Sequence, residues 1–116
     1  MRIRLKERRP ETTDVMSFIF DLGGKQLEYR PGQIIHYELD ALVFPDERGN
    51  HRHFTISSSP TEDGIVMFTT RIRGSGFKET LRQAPVGYEL TCETPEGEFT
   101  CDREKHAYVM YLSQEE

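Results

Sequence analysis

Glycine and proline cut this chain into short pieces, and that punctuation constrains its fold more than any other feature. Gly23-Gly24, Pro31-Gly32, Pro45, Pro60, Gly64, Pro85, Gly87 and Pro95 separate runs too short for a bundle of long helices, because proline removes a backbone donor and glycine weakens any interior it occupies. Several of the runs alternate. Arg2, Arg4, Lys6 and Arg8 alternate with Ile3 and Leu5, the period-two pattern of a half-buried strand with a basic outer face, read here as a solvated edge. In residues 15–22, Met16, Phe18 and Phe20 share one face. Further strands are predicted at 34–42, 51–57, 65–73 and 88–93, with a short return at 99–101 across the turn Pro95-Glu96-Gly97. Residues 77–83 form the one helical stretch, with Phe77 and Leu81 four apart on one face and Pro85 and Gly87 ending it. Many short strands and one helix predict a mainly all-β antiparallel barrel or sandwich. Periodicity alone does not choose between the two.

A length of 116 residues predicts one domain, 1–116. The composition, 35% hydrophobic and 30% charged, supplies one small core and little more. A net charge of −5 argues against general affinity for nucleic acid. No apolar run approaches the ~20 residues of a membrane span, and the first six residues lack the apolar centre of a signal peptide, so a cytoplasmic protein is expected. Cys92 and Cys101 flank the Glu96-Gly97 turn symmetrically. A disulfide is geometrically open there, but two reduced thiols are the expectation without a secretory signal. His36, His51, His53 and His106 have no metal-ligand spacing, and no metal is expected.

Two phrases carry the chemistry. Arg52-His53-Phe54-Thr55-Ile56-Ser57-Ser58-Ser59-Pro60 offers a planar cation, an aromatic face and hydroxyls within a few positions. Alternation puts Arg52 and Phe54 on one side of the strand, about 6 to 7 Å apart. Gly74-Ser75-Gly76-Phe77-Lys78 opens the helix, where free N–H groups and the dipole favour an anion. A ligand with a flat ring and a phosphate suits both.

These phrases resemble the flavin domain of the ferredoxin-reductase-like family, whose signature of Arg, any residue, Tyr or Phe, Ser or Thr, then Ser three residues on is matched by Arg52, Phe54, Thr55 and Ser58. The resemblance continues in Pro31-Gly32-Gln33, in Thr69-Thr70-Arg71-Ile72-Arg73 and in Pro95-Glu96-Gly97-Glu98-Phe99-Thr100. It implies a six-stranded antiparallel Greek-key barrel capped by one helix, with FAD as the cofactor. By the same resemblance, Arg52 pairs with the flavin's phosphate, a planar guanidinium being able to hold two oxygens at once. Phe54 stacks on the isoalloxazine or ribityl region, and Thr55 and Ser58 bond the ring near its hydride-exchanging nitrogen. His53, the variable position of the signature, is counted with them as a cofactor contact. Thr70, Arg71 and Ile72 edge along the ribityl and phosphate portion. Ser75, Gly76, Phe77 and Lys78 hold the pyrophosphate, with Lys78 standing where the commoner family form has serine.

Members of this family continue into a domain that binds a nicotinamide nucleotide. Residues 103–116 resemble its beginning, with Ala107-Tyr108-Val109-Met110-Tyr111-Leu112 like its entry strand, but Ser113-Gln114-Glu115-Glu116 stands in place of the glycine-rich turn. The resemblance therefore implies the FAD-binding part of a flavoprotein oxidoreductase. It would relay electrons between NAD(P)H and an acceptor only with an NAD(P)-binding partner or domain, because hydride transfer needs the nicotinamide against the flavin. A ferredoxin-like carrier docking on the basic face of the first strand, and an oligomer, stay open. The alternative is a flavin-free barrel serving as a binding module.

Overall fold

The computed structural model describes residues 1–97, which form six strands and one helix: β1 Arg2–Pro10, β2 Val15–Asp21, β3 Ile34–Glu38, β4 His51–Thr55, β5 Ile65–Arg71, α1 Gly76–Gln83 and β6 Glu89–Cys92. The strands make one sheet in the order β4-β3-β6-β1-β2-β5. Every adjacent pair is antiparallel. The sheet curls around one core, and its two edge strands, β4 and β5, meet without a regular ladder. Ser57 and Ser58 bridge them instead. The Ser57 N–H donates to the Met67 carbonyl at 2.8 Å, and the Met67 N–H donates to the Ser58 hydroxyl at 3.1 Å. The barrel implied by the sequence is thus present, with its seam joined by side chains and a single backbone bond.

Phe68 sits at the centre of the core. Its ring lies 4.0 Å from Phe54, 4.9 Å from Tyr37, 5.3 Å from Phe18 and 5.7 Å from Phe20. All five side chains are fully buried, and aromatic pairs of this kind contribute about 0.5–1.5 kcal/mol each beyond area burial. The helix adds Phe77 and Leu81, the pair predicted from its spacing, both fully buried.

Three expectations change in detail. β1 is not a solvated edge but lies between β6 and β2, where a bulge between Leu5 and Glu7 shifts its register. Its arginines find partners instead: Arg2 pairs with Asp40 at 2.8 Å, Arg4 with Glu89 at 3.2 Å, and Arg8 donates to the carbonyls of Leu81 and Ala84 at the end of α1. β2 is buried on both faces, because Ser17 and Ile19 are covered along with Phe18 and Phe20. β3 stops at Glu38 rather than residue 42, where the Leu39 N–H turns to the Asn50 carbonyl at 2.9 Å. The return at 99–101, Cys101 and residues 103–116 lie outside the described residues.

Candidate functional site

Over its first four residues β4 alternates its side chains, with His51 and His53 exposed and Arg52 and Phe54 buried, before the buried Thr55 ends the strand. Alternation puts Arg52 and Phe54 on one side, as expected, and that side is the interior. The Arg52 side chain is only 2% exposed. A guanidinium so deep requires a compensating charge. Asp46, from the loop between β3 and β4, supplies it with an ion pair at 2.5 Å. The guanidinium also donates to the His51 carbonyl at 2.9 Å and lies 5.5 Å over the Phe77 ring.

The Asp46 carboxylate is the hub of the site. One oxygen accepts from Arg52 and from the Arg48 N–H at 2.9 Å. The other accepts from the Phe77 N–H at 2.8 Å and the Ser75 hydroxyl at 3.1 Å. Burial pushes this carboxyl up, but Arg52, the Phe77 and Arg48 N–H groups and Ser75 outweigh it and hold it well below the usual carboxylate range. Sequence reasoning treats 44–50 as a polar turn and misses Asp46. The available signal is the alternation itself, since an arginine on the same face as a core phenylalanine demands a nearby acid.

α1 begins at this carboxylate. Ser75 is its N-cap and accepts from the Lys78 N–H at 3.2 Å, the usual way of satisfying an orphan donor at a helix start. Gly76 is there for a different reason. A Cβ at this position would lie 2.2 Å from the Pro45 carbonyl oxygen and 2.4 Å from that of Phe44, so the loop can rest against the helix only over a glycine. Lys78 turns inward, buried, with its ammonium on the Arg71 carbonyl at 2.9 Å and 6.0 Å from the Phe54 ring.

The remaining predicted residues spread from this centre. Phe54 stacks on Phe68 and neighbours Phe77 at 6.0 Å. Thr55 is buried, and its hydroxyl has no hydrogen-bond partner. Ser58 holds the barrel seam and bonds the Tyr29 hydroxyl at 2.9 Å. Ser59 satisfies the turn that follows, its N–H donating to Glu62 at 2.8 Å. Thr70 is buried on β5, Arg71 is exposed and pairs with Asp14 at 3.5 Å, and the Ile72 N–H donates to the Asp14 carbonyl at 2.7 Å. His53 points the other way, its ring 4.7 Å from that of His36 on the outer face. Arg52, Phe54, Ser75, Gly76, Phe77 and Lys78 are therefore gathered at one place, and His53 is not among them.

Beside this cluster lies a cavity of about 670 Å³ whose walls include Pro45, Asp46, Arg48, Arg52, Ser75 and Gly76. Its donors suit an anion: a guanidinium, a hydroxyl and a helix-start N–H. Four buried side-chain polar atoms among the described residues have no hydrogen-bond partner, on His36, Tyr37, Arg52 and Thr55, and of these the Arg52 Nε belongs to a residue lining this cavity. The donor set fits a flavin with a phosphate tail, and the groups of opposing sign are Asp46, buried among the donors, and Glu47, exposed at the rim. Among the described residues no group of three or more histidines, cysteines or acids is placed to hold a metal ion. Cys92 is buried, and burial pushes its thiol up. No described helix is long and apolar enough to cross a membrane.

Comparison with known proteins agrees with this fold. The oxidoreductase FAD-binding domain family matches residues 2–101. Among solved structures, phthalate dioxygenase reductase superposes with a TM-score of 0.69 at 16% identity, covering 89% of this chain and 32% of that one. The cytochrome b5 reductase domain of Ulva prolifera nitrate reductase gives 0.69 at 22% identity, covering 88% and 43%. Flavohemoglobin from Malassezia yamatoensis with bound FAD and heme gives 0.65 at 21% identity, covering 85% and 25%. The chain thus spans less than half the length of each. No curated protein matches the sequence.

Proposed function

As a member of the oxidoreductase FAD-binding domain family, this chain is the FAD-binding domain of a ferredoxin reductase-type flavoprotein, and we propose that its cofactor's diphosphate is held by Arg52, Ser75 and the N–H groups that open α1. The observation that carries this reading is the convergence of the Arg52 guanidinium, the Ser75 hydroxyl and the Phe77 N–H on one carboxylate-sized volume. Three donors focused on one anion, at a helix start, form an electrostatic seat. Lys78 adds a buried cation next to it and, through the Arg71 carbonyl, ties the helix to the end of β5. Thr55 and Ser58 face the flavin ring in this reading, with Thr70, Arg71 and Ile72 beside the ribityl chain; Phe54, buried against Phe68, backs the site from the core, and His53, on the outer face, is left out of it.

When bound, FAD supplies a ring that takes up a hydride and passes electrons onward. The residues named bind and orient it. We place the electron source in NAD(P)H bound by a separate domain or subunit, and the acceptor in a ferredoxin-like carrier or a fused redox centre. A cytoplasmic setting, where the buried Cys92 thiol stays reduced, completes the proposal.

The test is FAD titration of the apoprotein, followed by flavin absorbance and melting temperature, with Arg52→Lys beside the wild type. Lysine keeps the charge but loses the two-pronged grip, so affinity should fall by about 1.5 to 3 kcal/mol. Equal affinity in the two proteins overturns the role of Arg52. No change in colour or melting temperature with saturating FAD overturns the site.

A further inference from the structure

The donors assigned above to the cofactor's diphosphate are all engaged by Asp46. Its side chain is 5% exposed and its two oxygens take four hydrogen bonds, from Arg52, Arg48, Phe77 and Ser75. That is the bonding a pair of phosphate oxygens would seek. The carboxyl stays ionised across the working pH range, since its protonation is pushed far into acid. It presents one negative charge where a diphosphate would present two.

The segment carrying Asp46 is built as a hinged strap. At one end Asn50 is fastened to Leu39, its amide donating to the Leu39 carbonyl at 2.6 Å and its carbonyl accepting the Leu39 N–H at 2.9 Å. At the other, the N–H groups of Val43 and Phe44 reach the Thr80 hydroxyl at 3.2 and 3.4 Å. Between these anchors a tight turn closes with the Gly49 N–H on the Asp46 carbonyl at 3.0 Å, Gly49 taking φ +85°. Glu47 and Arg48 are exposed. The middle of the strap is held to the helix by the Asp46 carboxylate and by the contact of Pro45 with Gly76.

We propose that Asp46 is an internal stand-in for the cofactor's anionic tail: without cofactor it fills the seat of Arg52, Ser75 and Phe77, and its carboxylate must rotate out of that seat, giving up the Arg48 N–H as well, before a diphosphate can enter. The inference rests on the reading that this seat binds the diphosphate. It makes Asp46 a specificity-determining residue. A flavin with a diphosphate replaces one anion with a stronger one, whereas a flavin without phosphate has nothing to offer in exchange. The site is then kept neutral and folded when empty, at a cost in apparent affinity set by how firmly the carboxylate is held.

Titrating wild type and Asp46→Asn with FAD and with riboflavin tests this. Asparagine keeps the shape and removes the charge. The expected result is FAD bound about tenfold tighter by the variant, with riboflavin affinity unchanged. FAD bound equally or more weakly by a folded variant, while the wild type binds it well, overturns the stand-in and leaves the diphosphate seat intact. FAD bound no better than riboflavin by either protein overturns the seat itself, and the stand-in with it. Amide hydrogen exchange on the wild type gives a readout that needs no variant. Saturating FAD should speed exchange at the Arg48 N–H, released from Asp46, while the Phe77 N–H stays protected by its new acceptor. Unchanged exchange at Arg48 with FAD bound overturns the displacement.

Discussion

Phe54 on β4 and Phe68 on β5 stack face to face, centroids 4.0 Å apart and planes within 5°, across the seam where β4 and β5 share no regular ladder among the described residues. The contact does what ladder bonds do elsewhere in the sheet. Phe54→Ala is expected to cost about 3–5 kcal/mol, the upper range for an aromatic core deletion. Urea unfolding monitored by circular dichroism gives the value. A loss near 1 kcal/mol would mean the seam is held by Ser57 and Ser58 alone.

Gly76 is a steric requirement rather than a conformational one. Gly76→Ala places a methyl against the backbone carbonyls of Phe44 and Pro45, so either the strap or the helix start must give. A destabilisation of about 1–3 kcal/mol is expected from overpacking of this kind. The measurement is the melting temperature of the variant against that of Gly74→Ala. Gly74 has open space around it but takes φ +57°, so its cost isolates backbone strain.

Stability should fall on mild acidification because of His53. Although His53 is exposed, partial desolvation beside its neighbours is the main cause that lowers its pKa, followed by the charge of His36; Glu96 and Glu93 act in the opposite sense, and His51 adds to the lowering. The unfolded chain therefore binds the proton more readily than the folded one, and stability rises with pH through the histidine range. It is full above about pH 6.5, the unperturbed value, and is lost progressively below it. Urea midpoints of wild type and His53→Gln at several pH values check this. The variant should show a flatter profile, and identical slopes would remove His53 as the cause.

Arg8 fastens the first strand to the last turn of the helix by donating to the carbonyls of Leu81 and Ala84. A cation at that end satisfies orphan carbonyls and opposes the negative pole of the dipole. Arg8→Ala is expected to cost about 1 kcal/mol, and Arg8→Lys to recover part of it. Equal loss in both variants would show that the two-carbonyl reach of the guanidinium, rather than its charge, matters.

Alternation and turn residues make every described strand and the helix legible from sequence, along with the Phe77 and Leu81 face. What escapes them is pairing. Arg2 to Arg8 read as an outward basic stripe, and nothing local reveals that β6, more than eighty residues on, pairs beside them. Serines 57 and 58 read as ligand donors or turn residues, while the fold also uses them to join its edges. The cationic groups of the site are readable as residues but not as partners. Arg52 and Lys78 look like free charges in sequence, yet a charge facing a core must be neutralised or hydrogen-bonded. The groups that do so are the Asp46 carboxylate, from a loop with no signature of its own, and the Arg71 backbone carbonyl, which no side-chain pattern reveals.

The place of β6 between β3 and β1 bears on how the molecule is made. Until residues 89–92 leave the ribosome, two neighbouring strands each present an unsatisfied hydrogen-bonding edge, the kind of surface that recruits other chains. Nascent fragments halted before that point should be sticky and prone to chaperone capture. Solubility should return abruptly once the sixth strand slots in.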